Sequence, residues 1–273
     1  MIVPPEDWRR LTFHPSVVIG LVLVGALYVY LGGLTAPRRR VIAFGASLFV
    51  LLAALNGPLH DLSDEYLFSA HMVQHLILTL LFPPLFLYGL PADSVRRVLG
   101  PAWLRRVSAR LVRPVVAAAI FTVPIALWHL PLFYEAAMRD HRLHVAQHLV
   151  FLVTSVVMWW PVLSPVPELP RASYPAQLLY LFLLGIPMSI VGAIITLADT
   201  PLYPFYVEAP RVWGLSPMAD QQIGGLMMWV PGGLVFWLAM TVVWFRWSAR
   251  EEQSAGDIDR EVPREAYGLP PGS

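Results

Sequence analysis

Seven apolar runs divide this chain, at about 15–34, 41–58, 67–90, 113–130, 144–163, 177–198 and 222–245. Each approaches the ~20 residues that an α-helix needs to cross a bilayer. None shows the two-residue alternation of a membrane β-strand, so the pattern predicts seven transmembrane helices. Prolines interrupt several runs (Pro83, Pro84, Pro124, Pro187 and Pro231). Membrane helices tolerate them where neighbours or water satisfy the freed carbonyls. The polar remainder divides the chain into an N-terminal segment 1–14, a membrane domain 15–246 and a tail 247–273. The tail, with paired charges, Pro and Gly, is expected to be disordered. The connector 91–112 is rich in arginine at helical spacing and is expected to lie on anionic lipid as an amphipathic helix. No cleavable leader is expected, because the first apolar run is long enough to span and no small-residue cleavage site follows it.

Composition narrows the class. Hydrophobic residues make up 57% and charged residues 14%, with a mean hydropathy of +0.60, which excludes an ordinary soluble domain. The lipid bilayer is the expected surrounding, and no nucleic-acid partner is expected. All 19 basic residues are arginine. With the N-terminus outside, fourteen of them fall on the inner side and five, Arg9, Arg10, Arg139, Arg142 and Arg211, on the outer. The positive-inside rule therefore predicts an N-out, C-in multi-pass membrane protein. Acidic residues divide ten outside and eight inside, giving about −5 and +6 on the two faces and the overall +1. An acidic outer face concentrates cations modestly.

All eight histidines fall on that outer side, at helix ends: His14, His60, His71, His75, His129, His141, His144 and His148. Two of the clusters repeat one phrase, His71-Met72-Val73-Gln74-His75 and His144-Val145-Ala146-Gln147-His148. On a helix, i and i+4 share a face, ~5–6 Å apart at Cβ, so both imidazoles of a pair can reach one point. Each pair follows a hairpin turn after another histidine, His60 or His129. Met218-Ala219-Asp220-Gln221-Gln222 stands where a third copy would begin, since positions 71, 144 and 218 are 73 and 74 residues apart. The chain therefore reads as three outward-pointing helical hairpins in parallel repeat, with an extra N-terminal helix, and such repeats often frame a site at their interface. His141 extends the stripe of the fifth helix, and His14, without a partner in sequence, reads as interfacial.

A lone interfacial histidine usually snorkels and hydrogen-bonds to water. Four at one depth and spacing point instead to a metal or cofactor centre of His71, His75, His144 and His148, with His60 and His129 as additional or transfer ligands. Imidazole suits copper, zinc, iron and nickel, and thioether sulfur favours Cu(I). Met218 replaces the first histidine of the repeat, and Met72, Met227 and Met228 share its side. Gln74, Gln147 and Gln221 are placed to orient ligands from behind, and Asp61 and Asp220 to attract a cation or orient a ligand. The absence of cysteine excludes thiolate and disulfide chemistry.

His71 to His75 leading to Phe82-Pro83-Pro84-Leu85, Trp128-His129-Leu130-Pro131, His144 to His148 leading to Trp159-Trp160-Pro161, and Asp220-Gln221-Gln222 followed by Gly224-Gly225 and Trp229-Val230-Pro231 together resemble the signature of the CtaG family. These are bacterial membrane proteins that take part in assembling caa3-type cytochrome c oxidase. The resemblance implies a non-enzymatic, multi-pass assembly factor of the bacterial plasma membrane whose partners are oxidase subunits and an extracytoplasmic copper donor, and it implies copper as the bound metal. A homo-oligomer stays open. Two rivals remain: a membrane metalloenzyme with two irons, of the hydroxylase kind, and a bis-histidine haem cytochrome with axial ligands from different helices, such as His75 with His148.

Overall fold

Prolines and apolar runs together set the helix starts. The computed structural model describes residues 14–261, which are helical with no strand among them. The helices in chain order are α1 (Pro15–Tyr30), α2 (Arg38–Leu55), α3 (Pro58–Glu65), α4 (Phe68–Leu76) and α5 (Phe82–Gly89), the last two joined by a π-turn over Ile77–Leu81. There follow α6 (Ala92–Val98), α7 (Ala102–Leu111), α8 (Pro114–Trp128), α9 (Pro131–Arg139), α10 (His141–Leu163), α11 (Tyr174–Leu197), α12 (Pro204–Glu208) and α13 (Pro217–Glu261). Each predicted apolar run falls on these helices, the run at 67–90 being shared by α4, the π-turn and α5. By length and composition four segments are able to cross a membrane: Phe68–Gly89, His141–Leu163, Tyr174–Leu197 and Pro217–Ser254. The count rises to six if α2 with α3, bent by 44°, and α7 with α8, bent by 73°, each make one span, and α1 is a shorter apolar helix. Large apolar side chains face outward, Val115 at 82% and Leu197 at 69% exposure among them, as a hydrocarbon surrounding requires.

The expected disordered tail begins differently. Residues 247–261 continue α13 as helix, supported by i, i+4 contacts from Trp247 Nε1 to Glu251 Oε1 (3.0 Å) and Ser248 Oγ to Glu252 Oε1 (3.5 Å). Residues 1–13 of the N-terminal segment and 262–273 of the tail lie outside the described residues. The arginine-rich connector forms two helices rather than one. In α6, Val95 packs with Leu99, Val166 and Leu169, while Arg96 Nε donates to Glu168 Oε1 at 2.7 Å and holds that exposed carboxyl below its usual range. In α7 no residue is buried, and Trp103, Val107 and Leu111 are exposed.

Segments expected as plain loops at the histidine end hold short helices. Each opens on a proline in its first turn, where a missing N–H costs nothing. The starts Pro58, Pro131 and Pro204 are 73 residues apart, the interval already present between His71 and His144. Helix α10 begins at His141, three residues before the predicted start, because the Asp140 side chain accepts from Arg142 N (2.8 Å) and Leu143 N (3.4 Å).

Consecutive long helices pack together, α2 along α5, α8 along α10 and α11 along α13, and α13 also packs on α4. The α11–α13 contact needs glycine. A Cβ on Gly225 would lie 2.5 Å from Thr196 Oγ1, and one on Gly192 would lie 2.9 Å from Gly225 O. The core between them holds Leu87, Phe121, Phe151, Met158, Leu181 and Phe236.

The π-turn follows from Pro83 and Pro84. Neither has an N–H, so the Thr79 carbonyl has no backbone donor at i+4 or i+5. The indole Nε1 of Trp159 on α10 supplies it at 3.0 Å, which ties the C-terminal part of this span to α10 just below the histidines. Trp159→Phe removes that donor from a buried carbonyl and should destabilise the protein by about 1–3 kcal/mol. Unfolding in detergent measures this. Pro83→Ala, which restores a backbone N–H, should recover part of the loss in the same background.

Candidate metal centre

Three helices converge on the histidines. His71 and His75 are one turn apart on α4, His144 and His148 one turn apart on α10, and His129 is the C-cap of α8. The helical period puts each pair on one face, and the packing of α4 and α10 turns the two faces toward each other. The His71 ring lies 4.1 Å from His75, 5.2 Å from His144 and 5.9 Å from His148 between centroids. The His75 ring lies 5.5 Å from His148 and 5.7 Å from His129. The Nε2 atoms of His144 and His148 are 3.1 Å apart. All five rings are buried, His71 completely. Phe151 closes the floor, 4.8 Å from His75 and stacked at 6.2 Å on His129.

Partners are scarce in this cluster. Neither ring nitrogen of His71 or His75 has a hydrogen-bond partner. The Nδ1 of His129 faces the Ile125 carbonyl at 2.7 Å. A carbonyl only accepts, so that nitrogen carries the proton and Nε2, buried and unpartnered, presents a lone pair. Burying an unsatisfied polar group costs about 1–3 kcal/mol. A cation that accepts those lone pairs relieves the cost. His71, His75 and His148 each offer a nitrogen within 4.8 Å of the others, and Asp64, His71 and His144 form a second such group. Donors around one ion at ~2.0–2.1 Å lie at most about 4.2 Å apart, so both groups suit a transition metal after small side-chain adjustments.

Of the remaining candidates, His60 stands to one side of the cluster. Its Nδ1 faces Gln74 Nε2 at 3.0 Å, and its ring is 4.5 Å from that of His14, so His14 has a neighbour that sequence did not show. Gln74 is itself fixed by donating to the Ala54 carbonyl (2.7 Å) and accepting from Ser63 Oγ (3.1 Å). Gln147 is fully buried with neither amide atom partnered. Asp61 occupies the first turn of α3, and Asp64, one turn farther on, is the carboxylate that reaches the cluster, 3.5 Å from His144 Nδ1 and 3.4 Å from His60 Nδ1. Asp220 and Gln221 have other work. Asp220 caps α4 from α13, with Oδ2 accepting from Phe68 N (2.7 Å) and Oδ1 from Ser69 N (3.0 Å). Gln221 accepts from Leu202 N (2.6 Å) and donates to the Ile195 carbonyl (3.2 Å), bracing the segment after α11. Met218 is half-buried in the first turn of α13.

A sequence profile for the cytochrome c oxidase caa3 assembly factor, Caa3_CtaG, matches residues 20–250. The chain belongs to this family. The resemblance read from the motifs is thereby borne out. Among curated relatives, the uncharacterized proteins Mb0105 of Mycobacterium bovis and MT0111 of Mycobacterium tuberculosis are each 27% identical over 95% of this chain and 43% of their own length. ML1998 of Mycobacterium leprae is 26% identical over 93% of this chain and 41% of its own. The chain thus spans less than half the length of the curated relatives it matches. No solved structure matches.

Every member of the histidine cluster lies inside the segment matched to the caa3 assembly-factor family, and His14 lies outside it. Residues that sequence reasoning missed come from the short helices of this family member. Asp64 had a signal: Pro58 marks the start of a helix, and His60 and Asp64 at i, i+4 then share a face. The tyrosines had none. Tyr206 donates to the Ser63 carbonyl (2.6 Å), Tyr203 donates to the His129 carbonyl (2.8 Å), and the Tyr134 ring lies 5.5 Å from His71. They fix α3 and the end of α8, and with them Asp64 and His129.

Proposed function

We propose that this protein is a multi-pass plasma-membrane assembly factor that binds copper at the histidine centre and delivers it to a caa3-type oxidase. The observation that carries the metal reading is the pair His71 and His75, buried, with four ring nitrogens and no partner for any of them. Nothing in a purely structural role rewards that arrangement, whereas a bound cation does. Membership of the oxidase assembly family supplies the recipient. Arginines at the opposite helix ends support an N-out orientation with the centre on the outer face, and the 73-residue spacing of Pro58, Pro131 and Pro204 supports three parallel hairpins after α1. Seven spans follow if α1, α2 and α8 cross with the four longer segments.

Neutral imidazoles from His71, His75 and His148 would hold the ion, with His129 and His144 adjacent. Imidazole donors suit copper among the transition metals, and the family's link to an oxidase singles copper out. Delivery is ligand exchange, in which each protein–copper bond is replaced by one from the receiving subunit, and no covalent catalysis is involved.

Elemental analysis of the purified protein after exposure to Cu(I), paired with its optical spectrum, is the direct test. Copper in about stoichiometric amount with a featureless visible region is expected, since Cu(I) is a filled-shell ion. A Soret band would assign the site to haem, and iron in place of copper to the metalloenzyme reading. Delivery is tested separately: a strain carrying His75→Ala with His148→Ala should make oxidase deficient in copper. Oxidase with full copper content in that strain would overturn the delivery role.

A further inference from the structure

We propose that the centre contains two ion positions sharing His71. The receiving position is formed by Asp64, His144 and His71, and the holding position by His71, His75 and His148. This rests on the reading that the centre carries copper.

Two observations lead there independently of each other. Both donor groups exist in the same structure with His71 in common, and neither ring nitrogen of His71 is otherwise engaged. His144 stands between them, with Nδ1 3.5 Å from Asp64 Oδ2 and Nε2 3.1 Å from His148 Nε2. The second observation is access. A cavity of about 380 Å³ lies between α1 and the start of α10, and its lining includes His60, Asp64, His144 and His148 but none of His71, His75 and His129. An ion arriving through it meets Asp64 and His144, with His148 beside them, before it reaches His71 or His75. Apart from His14, Ser16 and His141, the rest of its wall is apolar, with Val17, Leu21, Leu51, Leu55, Leu149 and Leu152 among it. In such a low-dielectric passage a single carboxylate has a large effect on a cation.

The donor sets make the transfer run inward. The receiving position has a hard carboxylate oxygen, which binds Cu(I) poorly, and the holding position has imidazoles alone. As the ion moves, its bonds to Asp64 Oδ and His144 break and bonds to His75 and His148 form, while His71 stays bound. The imidazoles are neutral ligands throughout and no electron is transferred, and any proton on the Asp64 carboxyl is displaced as the ion binds there and returns when the ion moves on. Asp64 therefore governs the rate of loading and the all-histidine set governs retention.

The test uses the full chain in detergent with Cu(I) supplied from a coloured chelator. Chelator absorbance gives the rate, and elemental analysis gives the final content. Asp64→Asn should reach the wild-type copper content about tenfold more slowly, the scale on which a steering charge acts. Asp64→Glu should restore most of the rate and guards against a fold defect. Loading of Asp64→Asn at the wild-type rate would remove the receiving position. Loss of final copper in Asp64→Asn, with its metal-free melting unchanged, would make Asp64 a ligand of one single site and equally overturn the proposal. Failure of the wild type to take up any copper would instead strike the copper reading itself.

Discussion

His75→Leu should make the metal-free protein more stable and should abolish the stabilisation that Cu(I) gives the wild type. The two effects have one origin. The His75 ring is buried with neither nitrogen bonded, so an apolar side chain of similar size removes a standing cost of about 1–3 kcal/mol. The same substitution removes a ligand of the holding position. A ligand at a thousandfold excess over its Kd stabilises the folded state by about 4 kcal/mol, and this is the gain that the variant forfeits. Unfolding in detergent with and without Cu(I) reads both quantities in one experiment. A structural histidine would give the opposite pattern, with a less stable metal-free protein and an unchanged response to copper.

Asp220→Ala should produce the largest loss of stability of any substitution considered. The side chain is fully buried and accepts from the Phe68 and Ser69 backbone N–H groups and from the Ser69 hydroxyl. Hydrogen bonds to a charged group are worth about 1.5–3 kcal/mol each, and the alanine variant leaves two donors at the buried start of α4 with no acceptor. A total of roughly 3–5 kcal/mol is the scale for breaking a buried charged network. The consequence reaches the centre, because His71 lies within the first turn of the helix that Asp220 caps. Copper affinity should fall along with stability, and Asp220→Asn, which keeps one acceptor oxygen, should lie between the wild type and the alanine variant. Denaturant titration and copper competition on the same preparations measure the pair. An alanine variant with wild-type stability would remove the capping role.

Asp220 also shows what sequence leaves unseen. Its partners are 151 and 152 residues away, on a helix whose neighbours sequence does not reveal. Within the repeat it stood beside Gln221 in the degenerate third copy, which suggested a service to the metal. Packing of α13 against α4 makes it the cap of the helix that carries His71 and His75. Gly224 makes that contact, since a Cβ there would lie 2.4 Å from the Phe68 ring. The same limit explains why Asp64 was not read beside Asp61. Both are near the histidines in sequence, and only the helical winding of α3 decides which one faces His144.

By itself the sequence determined where the long helices lie, that fourteen of the 19 arginines lie at the helix ends opposite the histidines, and that each His-x-x-Gln-His pair presents two rings on one face. These are local properties, set by apolar run length and by the 3.6-residue period, and they survive whatever the neighbours are. Family membership was legible for the same reason, in motifs that are contiguous. Only the tertiary structure decided that the two faces meet, that His129 joins them with a free lone pair while His60 stands aside, and that Asp64 completes a second group of donors. Those outcomes depend on which helices touch and at what rotation, and that is fixed by close approach at residues such as Gly192, Gly224 and Gly225 and by bonds across the bundle such as Trp159 to Thr79. Contacts between residues far apart in the chain leave no periodic trace in it.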